Sequence, residues 1–448
     1  MTMEDGGPVR DSRGVTLTAA GILASGIACR YWIVARLPDP QGRLGEAYNV
    51  ARSFADHGTI ADAYAIGQGP SAHIMPVAAV IAGYVYRWLG VFTPASNFVL
   101  TTIALGFVFA SFALLFAVFR DLGAPASGRL LALALLCWSP VNALIEGVWF
   151  RVWEGGMAVA LGALFLYFVV RLDRSERIRL RDIAGVSFLA AATLFVSPPL
   201  GVAAYLCALM LMLRRLPSRR WFGTSAIAGV AMIAVLAPWT IRNAVVMGSP
   251  IVLRDSFGLE FAMSNGAALV GRPDSDGGFE ARHRAIHPYT SREGYAAMVA
   301  AGGEVAYAAL LTRETNAWIA AHPGDFVMLI GRHLRQMLFP EYWMFPDYSA
   351  LGPVTGRLAI HWFVSAEGLA GIAYALWRLG ARYRYAVIMA LAPIVPYLIA
   401  QPILRYRYLI FGMLTFFAFD LLARVVARLA SGFSLASAAG ARTAPPAA

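Results

Sequence analysis

Apolar residues in this chain gather in long unbroken runs, and the polar positions fall between the runs rather than alternating within them. A bilayer-spanning helix needs about 20 mostly apolar residues. Runs of that kind lie at about 15–36, 96–119, 129–148, 153–171, 182–197, 199–213, 222–241, 357–377, 384–401 and 406–427. The pattern predicts an all-α polytopic membrane protein, a bundle of about 10 transmembrane helices. An eleventh run, 74–91, carries Tyr84, Tyr86, Arg87 and Trp88, which suit a membrane–water interface better than a bilayer centre. Read as an interfacial helix, it leaves ten spans with both chain ends on the cytoplasmic side.

Two polar stretches interrupt the pattern. The first, 38–73, contains an amphipathic helix with Leu44, Ala47, Tyr48, Ala51, Phe54 and Ala55 on one face. Glu46, Asn49, Ser53 and Asp56 mark the other face, and Gly58 is a stop signal. The second stretch, 244–356, carries a helix near 303–321 ended by His322-Pro323-Gly324. A basic amphipathic piece (Arg332, His333, Arg335) and the aromatic residues Tyr342, Trp343 and Phe345 follow. It is short for an independent domain and is expected to cap the membrane part on its outer face. The chain thus divides into a membrane module over 1–243, the cap over 244–356, further membrane helices over 357–430 and an Ala/Ser/Gly/Pro-rich tail, 431–448, expected to be disordered.

Composition agrees with the pattern. With 59% hydrophobic and 14% charged residues and a mean hydropathy of +0.61, a soluble enzyme is excluded. All 37 Lys-plus-Arg positions are Arg, and the net charge is +11. These arginines concentrate in 171–182 and 214–220, as cytoplasmic loops do, so the charge orients helices and implies no nucleic-acid partner. The same rule puts the turns at Trp149–Trp153 and Ser197-Pro198-Pro199 outside. The first apolar run lacks a small-residue cleavage site, so no secretory leader is expected. Cys29, Cys137 and Cys207 all lie inside apolar runs and form no disulfide or metal-ligand pattern.

The candidate chemistry sits in the outer segments. Glu46, near a helix start, is placed to act as a general base; it equally suits a helix dipole without further purpose. Glu154 opens a span at the same outer level, and two such carboxylates would share acid–base work or hold a metal. Its bland alternative is an interfacial pair with Arg151. Glu146 lies about two turns earlier and deeper. Arg242, Arg405 and Arg407 lie outside against the positive-inside bias. A guanidinium fork suits phosphate, while snorkelling to headgroups is the alternative. His73, Arg151 and Asn243 are candidate substrate contacts, and His322 reads as a helix terminator. There is no Walker loop, dinucleotide fingerprint, HExxH or CxxC, so no nucleotide cofactor is expected.

The ordered motifs carry a family likeness over roughly 15–427. Gly45-Glu46 with Asn49-Val50-Ala51 is followed by Gly69-Pro70-Ser71-Ala72-His73, and later by Ala237-Pro238-Trp239-Thr240-Ile241-Arg242-Asn243 running into Gly248-Ser249-Pro250. Ser264-Asn265-Gly266, Gly303-Glu304-Val305-Ala306-Tyr307, Trp318-Ile319, His322-Pro323-Gly324-Asp325-Phe326 and Arg405-Tyr406-Arg407-Tyr408 complete the set. Together they resemble bacterial membrane glycosyltransferases of the GT-C superfamily. The nearest type is family 39, related to protein O-mannosyltransferases and the lipid A aminoarabinose transferase. The resemblance implies a GT-C helical bundle in the bacterial cytoplasmic membrane, with a catalytic first outer loop beside an interfacial helix. It also implies inverting transfer of a sugar from a polyprenyl-phosphate donor to a lipid, polysaccharide or protein acceptor on the periplasmic face. Carried across, Glu46 becomes the first-loop acid where the superfamily often has Asp, and Glu154 the second. Arg242, Arg405 and Arg407 would hold the carrier phosphate. Met75-Pro76 stands where many relatives have Pro-Pro. A divalent cation is left open, with Glu46 and Glu154 as its ligands if one is used.

Two other classes compete. A transporter or flippase of lipid-linked saccharide would need ionisable groups in mid-membrane, and Glu367 and Asp420 are the candidates. A GT-C-fold scaffold without activity is the third reading, which the Glu-for-Asp change keeps open.

Overall fold

A computed structural model describes residues 11–37, 45–271 and 275–441. Among these the chain is helical, with one isolated bridge, Ala61 to Pro70, and no strand. Its helices are α1 (Arg13–Val34), α2 (Glu46–His57), α3 (Pro76–Leu89), α4 (Pro94–Asp121), α5 (Ala126–Trp138), α6 (Ala143–Gly147), α7 (Gly155–Arg174), α8 (Leu180–Val196) and α9 (Pro198–Arg215). They continue as α10 (Trp221–Met247), α11 (Phe257–Ser264), α12 (Ser275–Ile286), α13 (Arg292–Ala300), α14 (Glu304–Ala321), α15 (Pro323–Leu338), α16 (Val354–Tyr374), α17 (Arg384–Leu391) and α18 (Leu404–Ala441).

Local chemistry sets several of the starts. Ser12 accepts the Val15 N–H, and Thr93 accepts the Ser96 N–H ahead of Pro94 at the first helical position. Among the described residues six helical stretches are long and apolar enough to cross a membrane, and two bent pairs raise the number to eight at most. Four of the ten sequence runs are not single straight spans, and the first, 129–148, is a pair bent by 48°. Runs 182–197 and 199–213 form a tight hairpin of 17 and 18 residues hinged at Ser197. Run 384–401 is no single rod, because Pro393 and Pro396 convert it to a 3-10 turn after eight α-helical residues. The α13–α14 pair bends by 99°, too sharply for one spanning rod. Helix α3, at 14 residues, is also too short to span.

Glycines bring the long helices together. A Cβ on Gly371 of α16 would lie 2.3 Å from the Phe417 carbonyl of α18, and one on Gly128 of α5 2.4 Å from the Phe419 carbonyl. Side chains that small let backbones touch, which is how membrane helices associate without a hydrophobic drive between them. Where α5 breaks before Pro140, the Leu136 carbonyl loses its i+4 amide. Buried Arg30 takes it up at 2.6 Å, reaches the Ser139 carbonyl at 2.7 Å and pairs through Nε with Glu146, which also accepts the Tyr408 hydroxyl at 2.9 Å. Glu146 is therefore a structural partner. Asp420 is likewise satisfied, accepting from Tyr383 and Arg424 at 2.7 Å each.

The two ends of the bundle differ. At one end arginines crosslink helix termini: Arg171 with Asp121 at 3.1 Å, Arg214 with Asp173 at 3.8 Å and Arg215 with the Ser175 carbonyl at 2.6 Å. The opposite end, formed by the starts of α2, α7, α9 and α18 and the end of α10, holds the cavities described next. Residues 38–44 of the first polar stretch and 442–448 of the tail lie outside the described residues. The last helix continues to Ala441, past Ser431 where disorder was expected, because an Ala-rich sequence also favours helix.

Candidate active site

Glu46 is the first residue of α2, preceded by Gly45 at φ +95°. The polar face of α2 meets solvent at Asp56 but not at Glu46 and Ser53. It grips the loop that follows: Asn49 Nδ2 donates to the Ala63 carbonyl at 3.1 Å, and Ser53 donates to Asp62 at 3.0 Å. Asp62 itself sits at φ +64° and accepts the Gly69 N–H at 2.9 Å, the local bonding that makes a left-handed aspartate tolerable. The loop therefore returns His73 to the start of α2. On the other flank Gly83 of α3 packs against α2, where a Cβ would lie 2.9 Å from the Ala51 carbonyl.

Three side chains converge there. His287 Nε2 lies 3.0 Å from Glu46 Oε1, and His73 Nε2 lies 3.9 Å from the same oxygen. Glu46 is 8% exposed, His73 4% and His287 3%. The Tyr289 amide donates to His287 Nδ1 at 3.2 Å, so the ring proton belongs on Nε2, facing Glu46. Burial opposes the Glu46 charge, but the hydrogen bond from His287 outweighs it and holds the carboxyl well below its usual range. Burial lowers the His73 pKa to about 3, so its imidazole is neutral. Its Nδ1 is 2.8 Å from the Tyr64 hydroxyl.

The trio lines a cavity of about 510 Å³. Its wall includes Trp149, Trp153, Glu260, His283, Arg254 and Arg405. Two cavities adjoin it. One of about 30 Å³ holds Glu154 and the Ser197-Pro198-Pro199 turn; another, of about 260 Å³, is lined mainly by Pro198, Pro199, Leu253, Phe257, Pro396 and Ile399. Arg254 and Tyr406 border all three. Among the described residues no hydrogen bond or ion pair engages the Arg254 guanidinium. Burial opposes its charge, and the Tyr406 hydroxyl, Glu154 and Glu260 more than compensate.

The sequence candidates separate accordingly. Glu46, His73 and Arg405 line the main cavity, with the Arg405 guanidinium 3.6 Å over the Trp153 ring. Glu154 faces the neighbouring cavity across Trp153 and Arg405, so it does not join Glu46 in one ligand set. Arg242 is turned to structure: it donates to the Ser71 carbonyl and Asn243 Oδ1 at 2.9 Å each, and its other terminal nitrogen bonds the Ile60 carbonyl. Asn243 is buried and donates to the Ile251 carbonyl at 2.8 Å. Arg151 donates to Thr101 and the Gly147 carbonyl, beside α4. Arg407 lies inside the bundle at 1% exposure, bonded to His361 and Ser365. Residues two apart on a helix point to opposite sides. Arg405 and Arg407, both in α18, therefore cannot serve one phosphate.

Sequence reasoning missed His287, Arg254, Glu260 and His283. The available signal was the His283–His287 pair, four apart and therefore on one helical face; their rings are 4.6 Å apart. The metal ligands that the structure offers are Glu46, His73 and His287, whose ligand atoms lie within 4.8 Å of one another. Two imidazoles and a carboxylate suit a divalent cation in type and spacing. Binding would require His287 to move its proton to Nδ1 and give up the Tyr289 amide.

No protein-family model matches the chain, and no curated protein matches it. Among solved structures, its backbone is similar to the archaeal oligosaccharyltransferase AglB from Archaeoglobus fulgidus in complex with an inhibitory peptide and a dolichol-phosphate. The TM-score is 0.49 with 12% identity, over 95% of this chain and 52% of that one. This chain thus spans about half the length of that relative. It is also similar to ArnT from Cupriavidus metallidurans bound to undecaprenyl phosphate, with TM-score 0.36 and 15% identity, over 95% of this chain and 80% of that one.

Proposed function

We propose that this protein is a membrane glycosyltransferase that takes a sugar from a polyprenyl-phosphate donor and passes it, with inversion, to an acceptor hydroxyl or amine. The observation that carries the reading is the position of Arg254. A guanidinium that no hydrogen bond or ion pair engages among the described residues stands where a polar, acid-bearing cavity meets an apolar one. That junction suits an amphiphile with an anionic link, its polar head beside Glu46 and its hydrocarbon along Leu253, Phe257 and Ile399. The motif set that resembles GT-C enzymes agrees with it.

In this reading Arg254 and Arg405 neutralise charge developing on the departing phosphate. Glu46, ionised and aimed by the His287 N–H, accepts the proton of the attacking group. His73 stays neutral and donates or accepts through Tyr64. A divalent cation, when held by Glu46, His73 and His287, would supply further neutralisation of the anionic donor. Glu154 would act on Arg254 rather than on substrate. The arginine-crosslinked end would face the cytoplasm and the cavities the outer side, with residues 244–356 covering them and α3 lying along the interface.

The test is transfer from a radiolabelled polyprenyl-phosphate sugar by purified protein in native membrane extract. Wild type should turn over, and Glu46→Gln should lose turnover while retaining donor binding. Equal turnover in both would remove Glu46 from the chemistry. Movement of labelled lipid between leaflets without transfer would support a flippase instead.

A further inference from the structure

Beside the cavity, and outside the chemistry assigned to it, two buried carboxyl groups face one another. Asp255 follows Arg254, and Glu304 opens α14. Both Asp255 carboxyl oxygens are buried with no hydrogen-bond partner. Glu304 accepts only from donors: the Ala72 amide at 2.6 Å and Gln68 Nε2 at 3.1 Å. The Asp255 amide in turn donates to the Ala72 carbonyl at 3.2 Å. The peptide just before His73 is therefore held on both sides, by the loop after α10 and by the start of α14.

Two adjacent anions out of water repel strongly, and such pairs retain a proton. Burial first, and Glu304 second, push the Asp255 pKa up to about 9; burial raises Glu304 too. Since Glu304 already receives two N–H donors, the proton belongs on Asp255. There it supplies the missing partner for an orphaned acid. The other charged or titratable neighbours are Tyr64 from the first loop, Arg242 from the end of α10 and Arg254 next in the chain.

We propose that Asp255 and Glu304 share one proton and act as a positioning pair. Protonated, they clasp the first loop to the α10–α11 connection and to α14, and so set His73 against Glu46 and Arg254 against the cavity. Loss of the proton leaves two buried anions and opens the clasp. Among the described residues no hydrogen bond or ion pair joins either residue to the cavity trio, so both are positioning residues.

The first test needs no substrate and stands apart from the transferase reading. Thermal midpoints of the full chain in detergent are compared between pH 5 and pH 9.5 for wild type and Asp255→Asn. An aspartate with a raised folded pKa stabilises fully below its unfolded value, about 3.9, and loses that stabilisation as pH rises through its folded one. The asparagine amide keeps a donor toward Glu304 and never ionises. The variant should therefore match wild type at pH 5 and exceed it by several degrees at alkaline pH. Glu304→Gln, which keeps an acceptor for the Ala72 amide, should flatten the curve similarly. Parallel curves for both variants, or variants less stable at every pH, would overturn the shared proton.

The positioning role is read separately, on the proposed transfer reaction. Turnover of wild type should fall on the alkaline side, and Asp255→Asn should move that fall upward by at least one pH unit. If the thermal curves behave as expected and the alkaline limb does not move, the pair is structural only and the positioning claim fails.

Discussion

His287 donates from Nε2 to Glu46 Oε1 across 3.0 Å, joining the segment after α12 to the first turn of α2. The Tyr289 amide on the opposite ring nitrogen fixes which nitrogen carries the proton. A hydrogen bond to a charged group contributes about 1.5–3 kcal/mol. His287→Ala should therefore lower kcat about 10- to 100-fold with little change in donor KM. His287→Gln, which can present an N–H from a similar distance, should recover part of the loss. Steady-state kinetics of the three proteins checks this. Identical kcat in His287→Ala would show that Glu46 needs no orienting donor.

Arg254 and Arg405 should separate by substitution. Among the described residues no hydrogen bond or ion pair engages Arg254, so Arg254→Ala should weaken donor binding about 10- to 100-fold, the same class of charge-assisted bond being lost. Arg254→Lys should restore charge but not the two-pronged fork, and so recover only part. Arg405 is stacked on Trp153, and Trp153→Ala should reproduce much of the Arg405→Ala defect. Equilibrium binding of a polyprenyl phosphate without sugar checks both. Unchanged affinity in Arg254→Ala would remove the phosphate assignment.

Arg242, by contrast, should behave as a scaffold residue. Its guanidinium ties the Ile60 and Ser71 carbonyls to the end of α10. Loss of those donors strands the Ser71 carbonyl at about 1–3 kcal/mol, while the Ile60 carbonyl keeps the Ser71 amide at 3.2 Å. Arg242→Ala should lower the thermal midpoint and raise proteolysis in the 60–73 loop. Arg242→Lys should fail to rescue, because an ammonium cannot span two carbonyls in one plane. A variant of normal stability with only weakened donor binding would reverse this assignment.

The fold class was legible because spans are written in twenty-residue apolar runs, and Glu46 and His73 were legible because they stand in a polar gap between such runs. The arginines show where that legibility ends. Sequence places Arg242, Arg405 and Arg407 at similar levels, but not their directions. Helical geometry turns Arg405 to the cavity and Arg407 into the bundle, while α10 runs on to Met247 and hands Arg242 to the first loop. His287 and Arg254 come from 244–356, a stretch without strong periodicity, and reach the site only through tertiary packing. Similarly, a proline-broken run such as 384–401 resembles a span in composition and departs from one in backbone.

The Arg30–Glu146 pair makes the sharpest stability prediction. Both side chains are 1% exposed, and Arg30 also fills two carbonyls at the α5 break. Removing one partner of a buried pair costs about 3–5 kcal/mol, because the remaining charge is stranded. Glu146→Ala should therefore unfold or fail to accumulate. Glu146→Gln should do better, because its amide keeps one acceptor oxygen for Arg30 and can donate its N–H to the Tyr408 hydroxyl oxygen. Arg30→Met should do worse than its size suggests, since the Leu136 and Ser139 carbonyls then have no donor. The double variant Arg30→Met/Glu146→Leu should recover only the charge part of the loss. Thermal denaturation in detergent separates the contributions: a double variant as stable as wild type would show that the carbonyls at the break need no partner.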